Sequence, residues 1–273
     1  MMRVTVVGVG SLGSALVRGL VAKKIVKPEH LRLYNRTMTE FLKQRKEEGF
    51  KVLGPKQPEE VAEPCEVLIF AVKPQEAEGA VRPWVNSISS NTLVISVMAG
   101  IRIEMLTRFL DEHPTIARAM PNLGATIERS ATAYFARSSV IEAYDKTIES
   151  ILSAFGTVYQ LLEEEIVDGA TAIAGSGPAY VCWLAERMIA AAEDFGFERE
   201  QARQLVIQTI FGTASLLAEK DIDPTTLREL VTSRGGTTEA ALAALSSGKG
   251  EDLFMRAFIA AKERAAFLSN STS

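Results

Sequence analysis

In the first half of the chain, short β-branched runs alternate with segments of helical spacing. In the second half the runs disappear and alanine-rich helical spacing takes over. Residues 3–7, 31–34, 67–71, 92–97 and 115–119 read as strands, followed by 131–135 and 157–162. The first four or five are separated by stretches long enough for crossover helices, the βαβ pattern of a parallel sheet covered on both faces. This predicts a doubly wound α/β domain over residues 1–163.

After about Glu163 the period changes. Leu184, Met188, Ala191, Ala192 and Phe195 fall at helical spacing, as do Phe254, Ala257, Phe258, Ala261, Ala265 and Leu268. The segment Leu205-Val206-Ile207-Gln208-Thr209-Ile210-Phe211 is apolar on nearly every side, so a helix there must be covered on most of its faces. A bundle formed by residues 164–273 has limited capacity to cover it alone, which predicts a subunit interface. Asp223-Pro224 is a good N-cap and N1 pair for a helix running through Val231. Residues 269–273 read as a frayed polar tail. The expected second domain is therefore all-α, residues 164–273.

Composition narrows the chemistry. The 273 residues are 47% AVILMFWYC and 23% charged, ordinary proportions for a folded chain. The 30 Lys and Arg against 34 Asp and Glu give a net charge of -4 with no basic block, which argues against nucleic acid as a partner. Cys65 and Cys182 lie in different regions, and only His30 and His113 offer imidazole, so no metal site is expected. Neither histidine stands beside a nucleophile signal of the GxSxG kind. The longest uncharged stretches, 170–185 and 205–218, are short for a membrane span, and the start lacks the features of a secretory signal. A cytoplasmic soluble protein with no membrane partner is the expectation.

Gly8-Val9-Gly10-Ser11-Leu12-Gly13 follows the first strand directly and opens an apolar-periodic segment. Glycines at this spacing allow a tight turn and close approach of a pyrophosphate, held by free N–H groups and the positive end of the helix. The end of the second strand bears on the cofactor. NAD sites usually place Asp or Glu there to accept from the ribose 2′-OH, whereas this chain reads Tyr34-Asn35-Arg36-Thr37. Arg36 suits a 2′-phosphate, with Asn35 and Thr37 as uncharged donors, so NADPH is expected and NADH is the alternative.

Three further strand ends carry Ala71-Val72-Lys73-Pro74-Gln75, Ser96-Val97-Met98-Ala99-Gly100 and Met120-Pro121-Asn122. The carboxyl ends of the strands form the ligand crevice of a doubly wound sheet, so Ala71, Val72, Lys73, Pro74, Ala99, Gly100, Pro121 and Asn122 join Gly8, Val9, Gly10, Ser11 and Leu12 as cofactor candidates. The second half adds Gly175-Ser176-Gly177-Pro178-Ala179-Tyr180, whose small residues let a ligand or backbone come close. It also adds Thr232-Ser233-Arg234-Gly235-Gly236-Thr237-Thr238, which reads either as a carboxylate site at a helix start or as a plain C-cap followed by a Thr N-cap.

These six motifs, in this order and over nearly the whole chain, resemble the pyrroline-5-carboxylate reductase family. The resemblance implies an N-terminal Rossmann domain and a C-terminal helical domain that interlocks with a second subunit. It thus implies a homodimer, and in many members dimers assemble further into decamers. It implies an oxidoreductase of proline biosynthesis in which a hydride of NADPH reduces the cyclic imine carbon of 1-pyrroline-5-carboxylate to L-proline, without assigning the hydride face. Ser233, Gly235, Gly236, Thr237 and Thr238 would hold the substrate carboxylate, with Ser176 as a further substrate contact and Thr238 near the ring nitrogen as the catalytic candidate. A protonated imine is already electrophilic, so such a site mainly has to hold the nicotinamide carbon about 3–3.5 Å from the imine carbon and exclude water.

The chain departs from the family in three places. Leu123-Gly124 stands where Thr-Pro is usual, Arg234 where Pro is usual, and Gln57-Pro58 near a position where Asn is frequent. Arg234 reads either as a second cationic contact to an acidic substrate or as an exposed side chain at a helix junction. These departures leave open an imine reductase for a different ring, and a non-catalytic NADP(H)-binding paralogue is the reading from another class.

Overall fold

Alternate residues of the central strands pack on opposite faces of one sheet. Val4, Val6, Leu31, Leu33, Val67, Ile69, Leu93 and Ile95 belong to one buried cluster, and Val7, Tyr34, Leu68, Phe70 and Val94 to another. A strand buried on both sides has to be apolar at nearly every position, which is why these runs are continuous and not alternating. Each fully buried Val, Leu or Ile contributes about 1.5–3 kcal/mol relative to exposure.

The computed structural model describes residues 2–54, 63–248 and 250–271. Gln57 and Pro58 and the last two residues of the expected polar tail lie outside them. Among the described residues the sheet has eight strands: β1 (Val4–Val7), β2 (Leu31–Tyr34), β3 (Lys51–Val52), β4 (Val67–Phe70), β5 (Leu93–Ser96), β6 (Ile116–Met120), β7 (Ser130–Ala136) and β8 (Gly156–Gln160). Their order is β3-β2-β1-β4-β5-β6-β7-β8. The first six run parallel, β7 is antiparallel to β6, and β8 is parallel to β7. The order over β1 to β6 is that of a dinucleotide-binding Rossmann sheet, with its switch point between β1 and β4.

Helices α1 (Ser11–Ala22) and α5 (Ser138–Leu152) cover one face through Leu16, Leu20, Ile148 and Leu152. Gly19 lets α1 come close: a Cβ there would lie 2.2 Å from the carbonyl oxygen of Ala154. Helices α3 (Ala77–Val81) and α4 (Ile103–Phe109) cover the other face through Val81, Ile103 and Leu106, with Trp84 beside them. Helix α2 (Glu40–Glu47) is capped by Thr39, whose hydroxyl accepts from the Leu42 N–H. Helix α6 (Glu165–Ala170) continues into a single π turn, Thr171–Gly175.

The chain divides into two compact units, Met1–Ser176 with Ala261–Ser273, and Gly177–Ala260. Within the second, α7 (Gly177–Asp194) and α8 (Arg199–Lys220) pair, and Gly196, at φ +96°, ends α7. Asp223 caps α9 (Pro224–Leu230) by accepting from the Thr225 N–H, as the Asp-Pro pair predicts. Helix α10 (Thr237–Ser247) follows, and α11 (Gly250–Ser271) begins in this unit and ends in the first. The expected frayed tail is corrected in part: α11 runs on through Ser271, because its apolar spacing carries the helix past Leu268. Among the described residues the apolar segment of α8 is covered only in part: Leu205, Ile207 and Phe211 are 52%, 48% and 65% exposed, whereas Val206 is buried. Among the described residues, no helix is long and apolar enough to cross a membrane.

Candidate active site

The turn after β1 is shaped by steric necessity. Gly8 has φ +93°, and a Cβ there would lie 2.7 Å from the backbone of Ala71 and Val72 at the end of β4. At Gly13 a Cβ would meet the Gly8 carbonyl oxygen at 2.1 Å, so glycine is what lets α1 pack onto its own turn. Gly10 is exposed and has open space in front of it. It is the N-cap of α1, without a side-chain cap and without an acidic residue in the first turn. The N–H groups of Ser11 and Leu12 therefore face an open, electropositive helix end. A pyrophosphate fits such a cradle, and a side chain at Gly8 or Gly13 would close it.

Asn35 ties this turn to the end of β2. Its Oδ1 accepts from the Val9 N–H at 3.3 Å and its Nδ2 donates to the Thr37 carbonyl at 2.8 Å and the Thr37 hydroxyl at 3.2 Å. The side chain expected to face the ribose thus shapes the loop. Arg36 is exposed, and its Nη2 lies 2.6 Å from Oε1 of Glu76. Glu76 ends the 3-10 turn Pro74–Glu76, which begins at the Lys73-Pro74 motif after β4. Lys73 itself is exposed.

The next two strand ends are also at this edge. After β5, the Ser96 hydroxyl accepts from the Met98 N–H at 3.3 Å, and Gly100 turns the chain with φ +74° beside half-buried Ala99. After β6, Pro121 is buried and both ends of the Asn122 amide are engaged. Its Oδ1 accepts from the Gly124 N–H at 2.9 Å, and its Nδ2 donates to the Ala174 carbonyl of the π turn at 3.0 Å. Leu123 is strongly exposed. Gly124 is required here, because a Cβ would lie 2.6 Å from the Arg129 carbonyl oxygen.

A second clamp holds the same segment. Arg118 of β6 is buried, with Nη2 2.7 Å from Oδ1 of Asp168 and Nη1 3.4 Å from Oε1 of Glu164. Arg102 reaches the other oxygen of Asp168 at 3.3 Å, and Glu164 also accepts from the Ile103 N–H at 2.8 Å. Sequence reasoning passed over this group. Its signal was an arginine between Ala117 and Ala119 in a strand buried on both faces, where a charge must be paired. The π turn that follows leaves Ser176 half-buried at its end.

The helical unit contains the Gly-rich segment. Ser233-Arg234-Gly235-Gly236 closes a turn in which the Gly236 N–H donates to the Ser233 carbonyl at 3.0 Å and Gly235 has φ +73°. Positive φ at the third position is the demand of a type II turn, in which proline is favoured at the second. Here Arg234 occupies that second place and is exposed. Gly236, not a threonine, is the N-cap of α10, so of the two alternatives for this segment the plain Thr N-cap is not formed: Thr237 and Thr238 are already helical. Glu239 reaches back to accept from the Gly235 N–H at 2.7 Å. A carboxylate therefore already sits at this helix start, as a substrate carboxylate would have to. Thr238 is half-buried.

A family model described as "Pyrroline-5-carboxylate reductase dimerisation" matches residues 164–268. Another, described as "NADP oxidoreductase coenzyme F420-dependent", matches residues 3–100. Pyrroline-5-carboxylate reductase 2 of Bacillus subtilis is 34% identical over 269 residues, covering 97% of this chain and 95% of its own. The structure of a pyrroline-5-carboxylate reductase from Coxiella burnetii superposes with a TM-score of 0.90 at 32% identity, covering 98% of this chain and 99% of that one. That of Plasmodium falciparum pyrroline carboxylate reductase with NADP bound gives 0.85 at 28% identity, with 98% of each chain covered.

Proposed function

The chain belongs to the pyrroline-5-carboxylate reductase family, and from that membership we infer that it reduces 1-pyrroline-5-carboxylate to L-proline with NADPH. The observation that carries the reading is the carboxyl edge of the parallel sheet, where an uncapped helix start at Gly10 and Arg36 at the end of β2 stand together, linked through Asn35.

NADPH supplies the hydride when bound. The chain's own part is to bind, orient and exclude water. Gly10, Ser11 and Leu12 offer backbone N–H groups to the pyrophosphate, Gly8 and Val9 hold the turn through their N–H bonds to the Tyr34 carbonyl and Asn35, and Arg36 offers a guanidinium to the 2′-phosphate. Ala71, Val72, Lys73, Pro74, Ala99, Gly100, Pro121 and Asn122 wall the crevice, Asn122 by holding the loop in shape. Ser233, Gly235 and Thr237 offer N–H and hydroxyl donors to the substrate carboxylate, for which the Glu239 carboxylate has to give way, and Gly236 lines the same site while its N–H closes the turn on the Ser233 carbonyl. Ser176 is a further substrate contact. Thr238 turns its hydroxyl to the ring nitrogen and keeps the imine protonated and oriented, which raises its electrophilicity without a histidine or a metal.

The enzyme works as a homo-oligomer in the cytoplasm, with a homodimer built on the helical unit as its minimum and a decamer of five such dimers as the larger form. The family description over residues 164–268 and the exposed apolar positions of α8 support the dimer.

The test is NADPH oxidation with 1-pyrroline-5-carboxylate against six-membered and substituted cyclic imines, for the native protein and Thr238→Val. Activity on the five-membered substrate and a loss of about 10²-fold in kcat for Thr238→Val are expected, the range for removing a positioned proton-handling group. Turnover only on another ring would replace the substrate. Unchanged kcat and KM in the variant would remove Thr238 from the mechanism.

A further inference from the structure

We propose that Glu76 is a specificity-determining residue of the cofactor site, a built-in carboxylate that competes with the adenosine 2′-phosphate for Arg36 and so narrows the preference for NADPH over NADH. The inference rests on the reading of Arg36 as the 2′-phosphate partner.

Arg36 and Glu76 come from the ends of β2 and β4, the strands on either side of β1, 40 positions apart, and meet at 2.6 Å between Nη2 and Oε1. Both belong to the same compact unit, and both are exposed: the Arg36 side chain is 72% accessible. Among the described loop residues, both ends of the Asn35 amide are spent on Val9 and Thr37, and the Thr37 hydroxyl, which accepts from Asn35, keeps one uncharged donor. The charge on Arg36 is therefore the main feature that separates a ribose 2′-phosphate from a 2′-hydroxyl, and Glu76 neutralises that charge in the free protein.

The two cofactors meet Glu76 differently. A 2′-phosphate has to draw Arg36 from the carboxylate or share it, with one more negative group close by. A 2′-hydroxyl brings no charge and can donate to a carboxylate, which is the interaction NAD sites obtain from an acid at the end of the second strand. This chain has Asn35-Arg36 there and supplies the acid from the loop after β4 instead. An exposed ion pair is weak, so Arg36 can be released, and Glu76 tunes the preference without abolishing it.

Dissociation constants for NADPH and NADH, measured by fluorescence titration on the native protein, Glu76→Gln, Arg36→Ala and the double variant, test this. Glu76→Gln is expected to tighten NADPH by about three- to tenfold, from the loss of a weak ion pair and of one like-charge neighbour, and to leave NADH unchanged or weaker. In the Arg36→Ala background the same change is expected to alter NADPH by about twofold or less, since the contested cation is gone. A Glu76→Gln protein whose NADPH to NADH ratio is unchanged or lowered overturns the proposal. If Arg36→Ala itself leaves that ratio unchanged, the reading of Arg36 fails, whatever Glu76 does.

Discussion

Arg118 shows how much a single residue can carry in this fold. It lies in the middle of an apolar strand, 2% exposed, and is held by Asp168 and Glu164. Desolvating a guanidinium costs several kcal/mol, and the acids on α6 offset that cost only while the arginine is present. Arg118→Met keeps the volume and takes from Asp168 and Glu164 their partner on the strand, with Arg102 and the Ile103 N–H still beside them. The expected result in urea unfolding is a loss of about 3–5 kcal/mol, the usual effect of breaking a buried pair from one side. A change below about 1 kcal/mol would mean that water reaches the acids and the clamp contributes little. The pair was not legible in the sequence because its partners lie 50 positions apart, and only the lone charge among Ile116, Ala117, Ala119 and Met120 hinted at it. The link of Arg36 to Glu76 was hidden for the same reason.

At the scale of elements, local sterics decided what could be read. The Gly8–Gly13 turn was legible because its demands are set by neighbours in sequence and by the end of one adjacent strand. The structure adds the distances: a Cβ at Gly13 would stand 2.1 Å from the Gly8 carbonyl oxygen. Gly13→Ala must therefore push α1 away from its turn and spoil the alignment of the Ser11 and Leu12 N–H groups. NADPH affinity is expected to fall on the order of tenfold or more, about 1.4 kcal/mol per factor of ten, with the secondary structure intact by circular dichroism. Native affinity in that variant would contradict the turn's role. The strands buried on both faces were legible from their continuous apolar runs, whereas β3 was missed because Lys51–Val52 is two residues long and only half-buried. The place of β7 beside β6 in antiparallel sense was equally hidden, since strand direction leaves no mark on side-chain pattern.

At the scale of the whole molecule, the helical unit leaves large apolar side chains in water. Besides Leu205, Ile207 and Phe211, these include Trp183, Leu245, Leu253 and Met255. Such a surface is the mark of association, and the family assignment over residues 164–268 is that of a dimerisation region. The exposure of Leu205, Ile207 and Phe211 is what a subunit interface over residues 205–211 requires. Leu205→Glu with Phe211→Glu places two charges on that surface. Light scattering is expected to show a smaller assembly, with a thermal midpoint that falls and loses its dependence on protein concentration. An unchanged mass would put the subunit contact elsewhere.

This fold presents NADPH to the carbon–nitrogen double bond of a five-membered imine, and the transferred hydrogen can be followed directly: NADPH deuterated at both C4 positions is incubated with 1-pyrroline-5-carboxylate and the enzyme, and the product is examined by mass spectrometry and NMR. L-Proline carrying one deuterium at C5 is the expected product. Cofactor binding without proline formation, or proline free of deuterium, would contradict it.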